Sequence, residues 1–232
     1  MTRAVAINGS PRMEKGDTAL ILNSFHEGMT EAGCEVELFY ASRLNIKPCD
    51  CGEMRCWERS PGKCVHTDDM DLLFAALKEA DILVLAAPVY VPLPGDMQNV
   101  INRLCPLLDP ILEIREGRTR ARFRPDVRIG KIVLVCTSGW WEKENCDTVV
   151  RIVQEFAEDA SVEFSGALLR PHASLLRQKG ELTDDGGAVL EAVRKAGLQL
   201  IEEGKMSPEI LGAVSRPLAS RDQMMRWLGQ TG

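Results

Sequence analysis

The chain has 232 residues, with 28 Lys+Arg against 34 Asp+Glu and a formal net charge of -6. That balance excludes a sequence-independent nucleic-acid binder, which needs a positive surface to displace counterions, and 19 Gly with 12 Pro are too few for a disordered or collagen-like chain. No run approaches the roughly 18 apolar residues of a membrane helix, and Met1-Thr2-Arg3 with the short apolar run behind it lacks the form of a signal peptide, so a cytoplasmic protein built as one domain is expected.

Residues 3–8 form a short apolar strand that stops at Gly9-Ser10-Pro11. Leu22, Phe25, Met29 and Ala32 then repeat at helical spacing, with Asp17 and Thr18 where an N-cap belongs. Residues 35–40 alternate, Val36, Leu38 and Tyr40 on one side, as a half-buried edge strand does. Asp68-Asp69-Met70-Asp71 opens a helix carrying Leu73, Leu77 and Ala80, its acids suited to the positive end of the dipole. Ile82–Ala86 is an uninterrupted apolar strand ended by Pro88, and Ile132–Val135 is another, ended by Thr137-Ser138-Gly139. Helices follow each of them, marked by Met97, Val100, Ile101 and Leu104 and by Val149, Ile152, Val153 and Phe156. Residues 162–169 read as a fifth strand, and Val189, Val193, Ala196 and Leu200 mark a last long helix.

Five β-α repeats with central strands apolar on both faces predict an α/β fold, a three-layer sandwich with a parallel sheet covered on both sides. The flavodoxin-like strand order 2-1-3-4-5 fits, with a ligand at the carboxyl ends of the strands. The core domain is expected over residues 1–205. Three segments exceed it: a cysteine-rich loop at 43–66, an arm at 106–129 and a tail at 206–232. The arm turns at Glu116-Gly117 and carries Arg115, Arg118, Arg120, Arg122 and Arg124. It suits a solvated arm packing on another subunit, or a patch that reads the phosphate of a dinucleotide. Met224, Met225, Trp227 and Leu228 form an apolar stripe on the tail, for packing within the chain or for assembly.

Three loops at the carboxyl edge carry candidate chemistry. Gly9-Ser10-Pro11-Arg12-Met13-Glu14-Lys15-Gly16-Asp17-Thr18 is neither a Walker A loop nor Gly-x-Gly-x-x-Gly. It still holds the parts of a phosphate cradle: small residues, the hydroxyls of Ser10 and Thr18, the guanidinium of Arg12 and a helix start behind them. Pro88-Val89-Tyr90 and Thr137-Ser138-Gly139-Trp140 follow the third and fourth main strands. Backbone amides there can bond a planar heterocycle, while Tyr90 or Trp140 covers its face. His172, after the fifth strand, is a further candidate at this edge. No Gly-x-Ser-x-Gly or His-Glu-x-x-His is present, so hydrolase chemistry has no foothold.

Half of the eight cysteines, Cys49, Cys51, Cys56 and Cys64, stand within one short stretch. Without a secretory signal such a cluster points to metal binding or redox chemistry rather than to a disulfide framework.

Together these motifs resemble the NADPH-dependent FMN reductase superfamily: Gly-Ser-Pro-Arg with a downstream Gly-Asp-Thr, then Pro-Val-Tyr, then Thr-Ser-Gly-Trp. Cys64-Val65-His66-Thr67-Asp68-Asp69-Met70 and Gly166–Pro171 narrow the resemblance to its iron-sulfur flavoprotein branch. The resemblance implies FMN, with phosphate held by Ser10, Arg12, Asp17 and Thr18 and the isoalloxazine against Pro88, Val89, Tyr90, Thr137, Ser138, Gly139 and Trp140. It implies an oxidoreductase that takes electrons from NAD(P)H or ferredoxin, assembled as a homodimer or homotetramer. A [4Fe–4S] cluster on Cys49, Cys51, Cys56 and Cys64 is implied as well, although Cys-x-Cys-x4-Cys-x7-Cys departs from the compact motif of that branch. Zinc on the four cysteines, or on three with His66, and a metal-free thiol loop stay open, as do a cluster-free NAD(P)H:FMN or quinone reductase and a flavodoxin-like electron carrier.

Overall fold

A computed structural model describes residues 1–52 and 54–229, apart from the side chain of Leu228. In chain order the elements are β1 (Arg3–Asn8), α1 (Asp17–Glu31), β2 (Glu35–Tyr40), α2 (Arg55–Glu58), α3 (Met70–Glu79), β3 (Ile82–Pro88), α4 (Gly95–Asn102), β4 (Glu113–Arg115), β5 (Arg118–Arg120), β6 (Lys131–Thr137), α5 (Asp147–Ala160), β7 (Glu163–Arg170), β8 (Arg177–Gln178), β9 (Glu181–Leu182), α6 (Asp184–Glu202), α7 (Pro208–Ser215) and α8 (Arg221–Gly229). The main sheet is parallel in the order β2-β1-β3-β6-β7, which is the expected 2-1-3-4-5.

Successive strand residues face opposite sides, so a strand apolar at every position must be covered twice. Val5, Ile7, Leu83, Leu85, Ile132 and Leu134 pack against α3, α4 and α5 through Leu73, Leu77, Met97, Val100, Val149 and Val153. Ala4, Ala6, Ile82, Val84, Val133 and Val135 face α1 and α6 through Ile21, Leu22, Phe25, Val189 and Val193. The parallel crossovers then leave the loops after β1, β3, β6 and β7 together at the carboxyl edge.

Four details refine or depart from the sequence expectation. The cap of α1 is Gly16, with no side-chain bond, and Asp17 lies inside the helix. A Cβ at Gly16 would stand 2.9 Å from Ser10 Oγ, so a capping side chain has no room there. The cysteine-rich loop contains the single turn α2, and β8 and β9 form a small hairpin, both too short to show a hydrophobic period.

The third difference concerns the arm. Its antiparallel turn β4–β5 is present, but its arginines are held by carboxylates of the same chain. Arg115 and Arg122 pair with Glu113, Arg118 and Arg120 with Glu155, Arg120 also with Glu158, and Arg124 with Asp126. Arg115 further donates to the carbonyls of Glu158 and Asp159 at the end of α5. Arg115, Arg118 and Arg120 line a cavity with Ile129, Gly130, Val162 and Glu163, residues at the amino ends of β6 and β7. Arg115, Arg118 and Arg120 therefore stand away from the carboxyl edge where the candidate phosphate loop lies, which disfavours the phosphate-reading alternative for the arm.

The fourth is the tail, whose first helix packs on the core, the first of its two expected roles. Met206 and Val214 are buried, and α7 packs on α6 and β7. Arg170, fully buried, donates to the carbonyls of Pro171 (2.8 Å), Val214 (2.7 Å) and Arg216 (2.9 Å). Of the expected stripe, Met224 is buried while Met225 and Trp227 are exposed; the side chain of Leu228 lies outside the described residues.

Candidate functional site

One cleft at the carboxyl edge is lined by Ser10, Arg12, Asp17, Thr18, Pro88, Val89, Tyr90, Thr137, Ser138, Gly139, Ala173 and Ser174, with a volume of about 210 Å³. Every cofactor residue expected from the sequence except Trp140 is among them. Trp140 is exposed beside the cleft, its N–H donating to Ser138 Oγ at 3.0 Å and its carbonyl accepting from His172 at 2.7 Å. Ala173 and Ser174, after β7, carry no motif that could have marked them.

The loops are tied to one another before any ligand arrives. Gly9 N–H donates to Ala86 (2.7 Å), Val89 N–H to Thr137 (2.8 Å), Ser138 N–H to Arg170 (2.9 Å) and Ala173 N–H to Ser138 (3.0 Å). The buried hydroxyls of Thr18 and Thr137 bond at 2.7 Å, joining α1 to β6. Asn8, also buried, accepts from Ser10 N–H at 2.8 Å, and its Nδ2 has no partner. A buried donor without a partner is costly. With Ser10 in the loop before α1 and Thr18 in its first turn, where the first N–H groups of a helix lack intrahelical acceptors, the cleft is suited to an anion. Arg12 adds a cation at its mouth, 3.4 Å from Asp17 Oδ2.

His172 does not join this site. Its ring is buried, accepting from Leu218 N–H at 2.9 Å and facing Arg170 at 3.0 Å. Burial, reinforced by the Arg170 charge, lowers its pKa to about 4. It is a neutral tie for the tail, and its place after β7 reflects that packing.

A second, small pocket gathers Cys49, Cys51, Cys56, Cys64, His66, Arg103 and Cys105. Burial raises the pKa of Cys49 and Cys56; the Cys51 thiol adds to it at Cys49, while a hydrogen bond with Cys105 works against it at Cys56. His66 Nε2 is bound to Asp50 at 2.7 Å. Among the described residues no three His, Cys, Asp or Glu side chains converge tightly enough to grip a single metal ion. The chemistry of this donor set is soft thiolate, which suits iron–sulfur clusters and zinc alike. Cys105 went unmarked in the sequence because it stands alone there.

Behind these thiols is a buried ion pair. Arg103 reaches Asp68 through Nη1 at 2.8 Å and Nη2 at 3.0 Å, both side chains 1% exposed. Arg103 also donates to Lys47 C=O at 2.7 Å and interacts with Cys64. Asp68 accepts in turn from Lys47 N–H (3.0 Å) and Met70 N–H (3.1 Å), so one pair clamps both stems of the cysteine loop.

The parallel sheet with its cleft at the carboxyl edge places the chain among flavodoxin-like proteins. Its fold is that of an NAD(P)H:quinone oxidoreductase from Methanothermobacter marburgensis (TM-score 0.59, 19% identity, 86% of this chain and 98% of that one). It is also that of an FMN-dependent NADH-azoreductase from Bacillus anthracis solved with FMN (TM-score 0.53, 12% identity, 88% and 97%). The sequence profile of the NADPH-dependent FMN reductases matches residues 2–139, more than half of the chain, and the chain belongs to that family of flavin-dependent oxidoreductases. Iron-sulfur flavoproteins of Archaeoglobus fulgidus (36% identity over 106 residues, 45% of this chain and 46% of that one) and Methanosarcina thermophila (34% over 104, 44% and 51%) are similar to it. The chain spans about half the length of the curated relatives it matches. No helix among the described residues is long and apolar enough to cross a membrane.

Proposed function

We propose that the protein is an FMN-dependent oxidoreductase of iron-sulfur flavoprotein type, moving electrons between NAD(P)H or ferredoxin and an acceptor with the help of a [4Fe–4S] cluster. The observation that carries this reading is the meeting of the loops after β1, β3 and β6 in one cleft, with a separate pocket of cysteine thiols in the same chain. Ser10, Arg12, Thr18 and the backbone N–H of Asp17 would hold the FMN phosphate, and the unpartnered Asn8 Nδ2 adds a donor close behind them. Pro88, Val89, Tyr90 and Thr137 to Trp140 would position the ring and leave one face open. FMN, once bound, supplies exchange of two electrons together or singly. Cys49, Cys51, Cys56 and Cys64 would hold the cluster, which exchanges single electrons. The division into a flavin-binding domain over residues 1–205 and a packing or oligomerisation tail over 206–232, the homodimer or homotetramer, and a cytoplasmic location belong to the same proposal.

The absence, among the described residues, of a tight three-ligand group favours as second reading a cluster-free NAD(P)H:FMN or quinone reductase. Anaerobic purification with flavin, iron and sulfide quantified on one sample decides between them. About four iron and four sulfide per chain beside FMN supports the cluster reading; FMN without iron after anaerobic iron and sulfide loading overturns it. Steady NAD(P)H turnover with quinone or ferricyanide separates either enzyme from a flavodoxin-like electron carrier.

The place of Asp17 yields a test of the phosphate assignment. Its carboxylate lies on the cleft and draws on Arg12. Asp17→Asn is expected to tighten FMN about fivefold, roughly 1 kcal/mol, the scale of a partly exposed charge interaction. Flavin fluorescence titration reads this; weaker binding in the variant would place the phosphate elsewhere.

A further inference from the structure

We propose that Cys105 is a ligand of the iron–sulfur cluster, with Cys49 the spare thiol of the pocket. This rests on the cluster reading above and revises its ligand set, exchanging Cys49 for Cys105. A [4Fe–4S] cluster takes four thiolates, and the pocket presents five cysteines: Cys49, Cys51, Cys56, Cys64 and Cys105.

Their settings differ. Cys105 opens the short 3-10 turn that follows α4 and is anchored on both sides by the buried side chains of Leu104 and Leu107. The turn packs against α2, which carries the buried Cys56, and the Cys105 thiol interacts with Cys56 as well as with Cys49 and Cys51. Cys49 is exposed, on a stretch with no regular structure. A ligand set is held best by rigid elements and shielded from water; Cys105 is half-buried on an anchored turn, whereas Cys49 is exposed on an irregular stretch. The loop spacing then has a physical reason. The first loop cysteine, Cys49, need not serve in the ligand set if the fourth sulfur comes from the turn after α4.

Arg103 strengthens the assignment. It stands two positions before Cys105, is 1% exposed, and lines the pocket with its Nε–H unpartnered. A buried N–H donor beside sulfur stabilises thiolate and cluster charge. No other acceptor for it is present among the described residues.

The test uses the full chain, loaded anaerobically with ferrous iron and sulfide, as wild type, Cys105→Ser and Cys49→Ser. Iron, sulfide, flavin and the low-temperature electron paramagnetic resonance of the reduced protein are measured on each. Wild type and Cys49→Ser are expected to hold about four iron per chain, while Cys105→Ser loses more than half of its iron and its resonance but keeps FMN. Full iron with an unchanged resonance in Cys105→Ser overturns the ligand role and leaves the cluster reading standing. No iron in wild type overturns both. Loss of iron in Cys49→Ser as well upholds Cys105 and overturns the spare assignment.

An iron-free measurement covers the case in which Cys105→Ser fails to fold. Diamide oxidises wild-type chain, two thiols giving up two protons and two electrons to form a disulfide while diamide is reduced to its hydrazine. Peptide mapping is expected to find Cys105 joined to Cys56, and a Cys105 linked to none of the four loop cysteines overturns the shared pocket.

Discussion

Asp68→Asn is expected to remove about 3–5 kcal/mol of folding stability, the cost of leaving one member of a buried ion pair without its partner. Both side chains are 1% exposed. The substituted amide would keep the shape but strand the Arg103 charge, and it would supply an NH2 where Asp68 now accepts from a backbone or guanidinium N–H. The damage is expected to reach the cysteine pocket. Asp68 ties Lys47 to Met70, and Asp69 accepts from Asn45 N–H at 2.7 Å, so proteolysis between residues 48 and 64 should quicken. The double variant Asp68→Asn with Arg103→Met should recover much of the loss, because no charge is then left unpaired. Urea unfolding of the three proteins decides it, and a single-variant loss below about 1 kcal/mol would make the pair an ordinary surface one.

The same pair sets an acid limit. Burial alone would raise the Asp68 pKa, but the hydrogen bonds from Arg103, Lys47 and Met70 and the Arg103 charge outweigh it and lower it from 3.8 to about 2. A carboxyl with a depressed folded-state pKa binds its proton more readily when unfolded. Its contribution is therefore complete above pH 3.8 and is lost as pH falls through about 2. Stability measured across that window should fall with acid in wild type and flatten in Asp68→Asn.

The parallel sheet was legible because strands covered on both faces leave no polar position, and residues 82–86 and 132–135 have none. Once the order of strands follows, so does the edge at which the loops meet, which is why Ser10, Tyr90 and Ser138 could be picked as neighbours from segments far apart in sequence. What escaped depends on contacts with no local signature. Asp17 resembles a cap by type, yet the cap is a glycine chosen by the space beside Ser10. The arm's arginines resemble a phosphate patch until α5 brings Glu155 and Glu158 against them. His172 resembles a ligand-edge residue but, with Arg170, holds the tail. Cys105 is isolated in sequence and meets the other cysteines only because α4 ends beside their loop.

The contact between α1 and α6 carries the other large effect, and it links stability to the cleft. A Cβ on Gly28 would stand 1.8 Å from the carbonyl oxygen of Arg194, and one on Gly197 would stand 2.2 Å from that of Phe25. Each glycine thus lets the backbone of the opposite helix approach. Overpacking costs about 1–3 kcal/mol and occasionally more; here the obstacle is backbone, which cannot rotate aside as a side chain can. Alanine returns about 1 kcal/mol through helix propensity, so Gly28→Ala and Gly197→Ala should each lose roughly 2 kcal/mol or more. Gly212→Ala on α7, where nothing lies within 4 Å of the added carbon, should be neutral or slightly stabilising and serves as the control. Because Thr18 on α1 bonds Thr137 across the cleft, a displaced α1 should also weaken FMN. Thermal melts and flavin titration on the three variants read both consequences, and a Gly28→Ala protein that melts with wild type would show that the two helices have slack to separate.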